Sequence, residues 1–110
     1  MLIYGLKNCD SCKNALRAFK SANKSVEFID LKKIPVTAEI LLGWLKTHGD
    51  GVLMNRKSTT WRNLSEVDRQ QDAFILLQAY PTLIKRPVIV DEKDSYVGWT
   101  ADVRTALGIE

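Results

Sequence analysis

The order of hydrophobic patterns along this chain predicts an α/β fold in which a βαβ half and a ββα half share a four-stranded mixed sheet, with a helical insert between them. Three observations carry that prediction. A short apolar run at the start gives way to a helical pattern and then to a second alternating run; the middle, about 36–81, reads as helix alone; and two short apolar runs around a polar turn precede a capped terminal helix.

Residues 2–5, Leu-Ile-Tyr-Gly, are apolar and partly aromatic, as a buried strand is, and Gly5 marks its exit. From Cys12 onward Ala15, Leu16, Phe19 and Ala22 recur at helical spacing, with Lys13, Arg17 and Lys20 on the other side. Residues 25–31 alternate Val26, Phe28 and Ile29 with polar residues, a second strand. Two strands joined by one helix form a right-handed parallel crossover. Thr37 can cap a helix over 38–49 whose apolar stripe is Ile40, Leu41, Trp44 and Leu45 and whose stop is Gly49. Residues 58–70 and 72–80 suggest two further helices, the second closed by Pro81. Residues 86–92 and 96–99 read as two short strands around the turn Glu-Lys-Asp-Ser, and Thr100 caps a last helix over 101–107 before Gly108. This order is the thioredoxin-fold arrangement. Residues 1–110 read as a single thioredoxin-like domain with its helical insert at about 36–81, with no repeat or low-complexity tract to suggest a second.

With 45% hydrophobic and 26% charged residues the composition is that of a soluble globular protein, and 110 residues can bury a core without a structural disulfide. The net charge of +3 is spread over scattered lysines and arginines, which implies weak attraction to anions and no direct nucleic-acid binding. The opening residues lack the features of a secretion signal and no apolar run approaches the length of a membrane span. A cytoplasmic protein with no membrane partner is therefore expected. In that reducing compartment a close cysteine pair is more often catalytic or metal-binding than structural.

The only two cysteines, Cys9 and Cys12, stand where the first strand turns into the first helix. Cys9 should occupy the N-cap and Cys12 the first turn, so that the sulfurs can meet. The helix dipole contributes only ~0.3–1 kcal/mol to a thiolate there, whereas one pKa unit needs about 1.4 kcal/mol. A nearby cation must supply the rest, with Lys7, Lys13 or a distant arginine as candidates, while Asp10 opposes them. Zinc needs roughly four ligands, and beyond the two cysteines the chain has one histidine, His48; no metal site is expected. Two inert core thiols remain open as an alternative. A Cys-x-x-Cys at a strand-to-helix junction within a βαβ unit is nevertheless a thioredoxin-like redox signature, and a working thiol pair is the favoured reading. His48, at a helix end beside Gly49 and Asp50, suits the dipole's negative end rather than catalysis. Trp44, Trp61 and Trp99 are candidates to frame a pocket, although Trp44, on the apolar stripe, reads as core.

Three blocks, YGLKNCDSCKNAL at 4–16, NRKSTTWRNL at 55–64 and TLIKRPVIVDEKDSYVGW at 82–99, together resemble the arsenate-reductase-like branch of the thioredoxin fold. That branch holds glutaredoxin-coupled arsenate reductases, small YffB-type proteins and Spx-type redox regulators, and the likeness covers nearly the whole chain. The resemblance implies that Cys9 is the nucleophile, in a loop with Asn8, Asp10 and Ser11 whose backbone N–H groups cradle an anion. It matches Arg86 to the arginine beside that cysteine, Pro87 to the fold's cis proline and Arg56 to a second anion-binding arginine. The start of the strand after the insert lies near the first loop in this fold, which suits Arg86 independently; Arg56 reads equally well as a solvated surface residue. Trp99 stands where the arsenate reductases carry a third arginine. Cys12 is generally absent from them and typical of Spx-type proteins, which usually carry a tail after the last helix, a segment not expected after Glu110. The implied activity is that of a small thiol–disulfide oxidoreductase with no bound cofactor and glutathione as co-substrate. Cys9 attacks a small disulfide, Cys12 resolves the intermediate and Arg86 holds the thiolate. Glutaredoxin or thioredoxin are candidate partners. The alternatives are a redox-sensing regulator acting on RNA polymerase and an arsenate reductase with an oxyanion substrate.

Overall fold

In the computed structural model, which describes residues 1–92 and 94–109, the elements run β1 (Leu2–Gly5), α1 (Asp10–Ser21), β2 (Glu27–Asp30), α2 (Ala38–His48), α3 (Asp50–Leu53), α4 (Thr59–Asn63), α5 (Glu66–Arg69), α6 (Ala73–Ala79), β3 (Val88–Asp91), β4 (Asp94–Val97) and α7 (Ala101–Ala106). They fall into two compact units, one from Met1–Ile34 with the chain from Arg86 onward, the other from Pro35–Lys85.

The first unit holds the sheet, ordered β2-β1-β3-β4. β1 pairs parallel with β2, which requires the crossover that α1 provides, and antiparallel with β3, which in turn pairs antiparallel with β4. This is the thioredoxin-like α/β arrangement. Side chains alternate faces along a strand, so the opposed Ile3 and Ile89 share one face, where they are fully buried with Ala15 and Phe19 of α1 and with Leu107 and Ile109 after α7. Trp99 closes this core, its ring centroid 5.8 Å from that of Phe19 at 45°. Lys24 Nζ donates to the Leu107 carbonyl at 3.0 Å, satisfying one of the acceptors left at the end of α7. Tyr4 and Val88, opposite one another on the other face, are also buried.

The hairpin turn is tighter than the sequence suggests. Asp94 and Ser95, expected in the turn, already pair with Asp91 and Val90, whereas Gly98 and Trp99, expected in the strand, lie beyond it. Lys93 of that turn lies outside the described residues.

In the second unit the starts of α2, α4 and α5 are each set by a local hydroxyl cap. Thr37 Oγ1 accepts from Ile40 N, Ser58 Oγ from Trp61 N and Ser65 Oγ from Asp68 N. The Ser65 cap explains why the single helix expected over 58–70 splits: Leu64 turns extended at ψ 142° and the chain begins again as α5. Gly49, at φ 80°, ends α2 as expected but also caps α3, a short helix not foreseen. The stripe of α2 is narrower than its sequence implies, since Leu41 and Trp44 are buried while Ile40 is 37% exposed. Two backbone bonds, Lys85 N to Leu53 O at 2.7 Å and Asn55 N to Leu83 O at 2.8 Å, bring the segment after α3 beside the segment before β3. Among the described residues no helix is long and apolar enough to cross a membrane.

Candidate thiol site

β1 stops at Gly5, and four residues later Cys9 begins α1 as its N-cap, with extended backbone at φ −105° and ψ 121°. The loop between is short and tied, Cys9 N donating to Leu6 O at 3.3 Å and Lys13 N to Cys9 O at 3.0 Å. Three residues on, Cys12 lies in the first turn, fully buried, while Cys9 stays half-buried. The two thiols are in hydrogen-bond contact. Glycine at position 5 is required by that arrangement: a Cβ there would fall on Cys12 Sγ, with Phe28 Cε1 at 3.3 Å.

Cys9 opens into a cavity of about 240 Å³ lined by Leu6, Lys7, Asn8, Cys9, Asp30, Lys32 and Arg86. Arg86 enters it immediately before Pro87, and the peptide bond between the two is cis, as the resemblance implied. Burial pushes the Cys9 thiol pKa up, but stabilisation of the anion outweighs it and leaves the pKa below the ordinary value. The Cys12 N–H and thiol contribute, as do contact with the Arg86 guanidinium and its charge. The Cys12 N–H falls short of a regular side-chain cap on Cys9, so its effect is that of a nearby donor dipole. Cys12 behaves oppositely. Burial first, and then contact with Cys9 and its charge, push its thiol up to about 12, against the Leu6 backbone and Arg86. The pair thus consists of an accessible anion-favouring sulfur and a buried protonated one.

Of the residues expected here, Cys9, Arg86 and Asn8 line the cavity, and Cys12 lies against Cys9. Asp10 and Ser11 occupy the first turn of α1, and their side chains do not line it. Between the two lysine candidates, Lys7 lines the cavity and Lys13 does not. Arg56 belongs to the second unit, where it pairs with Asp50 at 3.2 Å and lies over the Trp61 ring at 5.3 Å, the ring also carrying Arg69 at 5.3 Å. Trp99 frames no part of the cavity. It is a partly buried residue packed at a tilt against Phe19 of the core, with the Arg104 guanidinium 5.9 Å from its ring centroid. Asp30 and Lys32 escaped sequence reasoning. They arrive because β1 and β2 are parallel with Gly5 opposite Asp30, which brings both carboxyl ends, and the loops that follow them, to the same sheet edge.

Comparison with known proteins bears on the family and the fold. The model of the ArsC family matches residues 4–106. A solved structure of a YFFB protein superposes with a TM-score of 0.89 at 32% identity, covering 96% of each chain. That of an arsenate reductase (ArsC) related protein from Brucella melitensis gives 0.76 at 37% identity, covering 96% of this chain and 91% of the other. The global transcriptional regulator Spx of Listeria innocua is 27% identical over 105 residues, 91% of this chain and 80% of its own length.

Proposed function

This chain belongs to the ArsC family, and on that premise we propose that it is a thiol–disulfide oxidoreductase of the reducing cytoplasm, with glutathione as its co-substrate. The observation that carries the proposal is the contact between a half-buried Cys9 whose anion is stabilised and a buried Cys12 that stays protonated. The Cys9 thiolate attacks one sulfur of a small disulfide, the S–S bond breaks and one substrate thiol leaves with a proton from solvent. Cys12 then gives up its proton and attacks the Cys9 sulfur, releasing the second thiol and leaving a Cys9–Cys12 disulfide. The substrate has gained the two electrons the protein has lost, and two glutathione thiols return them by becoming glutathione disulfide. In the mixed disulfide Cys9 carries no charge, so one of the causes holding Cys12 protonated disappears at the step where Cys12 must ionise.

Glutathione-dependent reduction of hydroxyethyl disulfide, present in the unmodified protein and abolished in Cys9→Ser, is the expected result; no turnover overturns the proposal. The likeness to Spx, together with Cys12, favours a second reading in which the same disulfide switches a partner surface. Binding to purified RNA polymerase that depends on the Cys9–Cys12 bridge, without disulfide turnover, would select it.

A further inference from the structure

The cavity beside Cys9 carries more positive charge than a thiolate needs. Lys7, Lys32 and Arg86 line it against a single carboxylate, Asp30. Asp30 is occupied locally: its Oδ1 accepts from Lys32 N at 2.9 Å, and its carbonyl accepts from Lys33 N at 3.0 Å and Ile34 N at 2.9 Å. The end of β2 is further tied to β1 by Leu31 N donating to Gly5 O at 2.9 Å. Lys32 and Lys33 are therefore presented from a fixed turn, beside the loop that carries Lys7. The Lys7 and Lys33 side chains meet, and contact with Lys33 and its charge hold the Lys7 pKa below the ordinary value, slight burial adding to this and Asp30 opposing it. Two exposed ammonium groups on neighbouring turns repel each other where their side chains meet, and an anion seated between them relieves the repulsion.

We propose that Lys7 and Lys33, with Lys32, form a carboxylate-recognising lip on the Cys9 cavity that makes disulfides carrying carboxylates the preferred substrates. The inference rests on the reading of Cys9 as a thiol that attacks disulfides. Arg86 contacts the Cys9 sulfur itself, whereas Lys7 and Lys32 line the cavity around it and Lys33 reaches it through its contact with Lys7. They act as specificity-determining residues. Exposed ion pairs are individually weak, so two of them predict a roughly three- to tenfold preference for an anionic over a neutral disulfide, shrinking as salt is raised.

The test uses the fully reduced protein and the double variant Lys7→Gln/Lys33→Gln, both exposed positions. Single-turnover oxidation to the Cys9–Cys12 bridge is timed by mass spectrometry with glutathione disulfide (anionic), hydroxyethyl disulfide (neutral) and cystamine (cationic). In parallel, Cys9 is alkylated with iodoacetate and with iodoacetamide, which reports the charge preference without any disulfide chemistry. The expected result is an anionic-to-neutral rate ratio that falls several-fold in the double variant in both assays, with cystamine the slowest oxidant of the unmodified protein. Equal ratios in the two proteins overturn the lip. Failure of every disulfide to oxidise the protein, with the iodoacetate preference intact and lost in the variant, would remove the oxidoreductase reading and leave the lip standing as an anion site.

Discussion

Removing Arg86 tests the electrostatics of the site most directly. Two of the four effects that favour the Cys9 anion come from its guanidinium, a hydrogen bond to the sulfur and its charge, the others from the Cys12 N–H and thiol. A charge-assisted hydrogen bond contributes about 1.5–3 kcal/mol. In a cavity open to solvent, water replaces part of what is lost, so the lower end applies. At about 1.4 kcal/mol per unit, Arg86→Ala should raise the Cys9 pKa by about one unit. Below both pKa values the thiolate population then falls about tenfold, but a more basic thiolate is a better nucleophile by roughly threefold for a Brønsted slope near 0.4–0.5, so exchange slows only about threefold. Above both pKa values the sign reverses and the variant exchanges about threefold faster. The measurement is far-ultraviolet thiolate absorbance against pH in a Cys12→Ser background, paired with the rate of exchange with neutral hydroxyethyl disulfide across the same range. An unchanged titration, or rate profiles that never cross, would refute the assignment of Arg86 to the thiolate. Arg86→Lys should recover part of the shift, since the charge returns without the planar fork.

Three further outcomes follow from the same geometry. Cys12→Ser, challenged with a small disulfide, should accumulate a mixed disulfide on Cys9 visible by intact mass, and accumulation on Cys12 in Cys9→Ser instead would reverse the roles. Because the folded state raises the Cys12 pKa from an ordinary value near 9 to about 12, it favours the protonated thiol. That contribution to stability is complete below about pH 9 and is lost as pH rises toward 12, so alkaline denaturation should be less steep in Cys12→Ala than in the unmodified protein. Gly5→Ala should destabilise by about 1–3 kcal/mol through the collision of its Cβ with Cys12 Sγ, and Cys12→Ala in the same chain should return most of the loss, read as a double-mutant cycle of thermal midpoints.

What could be read from the sequence is what local chemistry determines. β1, α1 and β2 each carry a complete apolar period within a few residues, and the Cys9 N-cap follows from where one period stops and the next begins. Hydroxyl caps are equally local, yet the cap at Ser65 is hidden in the sequence because an apolar residue, Leu64, lies between the two helices it separates. Trp99 misleads for a different reason. The sequence offers it as a candidate to frame a pocket, but its ring lies 5.8 Å from Phe19 in the core, a contact no sequence period encodes.

The two features that define the cavity depend instead on register. Gly5 reads in the sequence as a strand exit, a role many residues could fill. Its need for no Cβ appears only when α1 folds back and sets the Cys12 sulfur against it. Lys7 and Lys33 likewise stand as two scattered surface lysines until the parallel pairing sets Gly5 opposite Asp30 and brings the residues beyond each strand together. One shift of that register by a single residue would turn the side chains of β2 to the opposite face and carry the turn that presents Lys32 and Lys33 away from the thiol. The bond from Leu31 N to Gly5 O, at 2.9 Å, holds that register where strand pairing ends. Substitutions that loosen the 30–34 turn should therefore alter which disulfides react before they alter the reactivity of Cys9 itself. Asp30→Asn keeps an acceptor for Lys32 N while removing the charge opposed to the lysines, and it should strengthen the preference for anionic disulfides. Asp30→Ala removes both and, by freeing the turn, should weaken that preference. Anionic-to-neutral rate ratios moving the same way in the two variants would show that charge alone, and not the fixed turn, governs the choice.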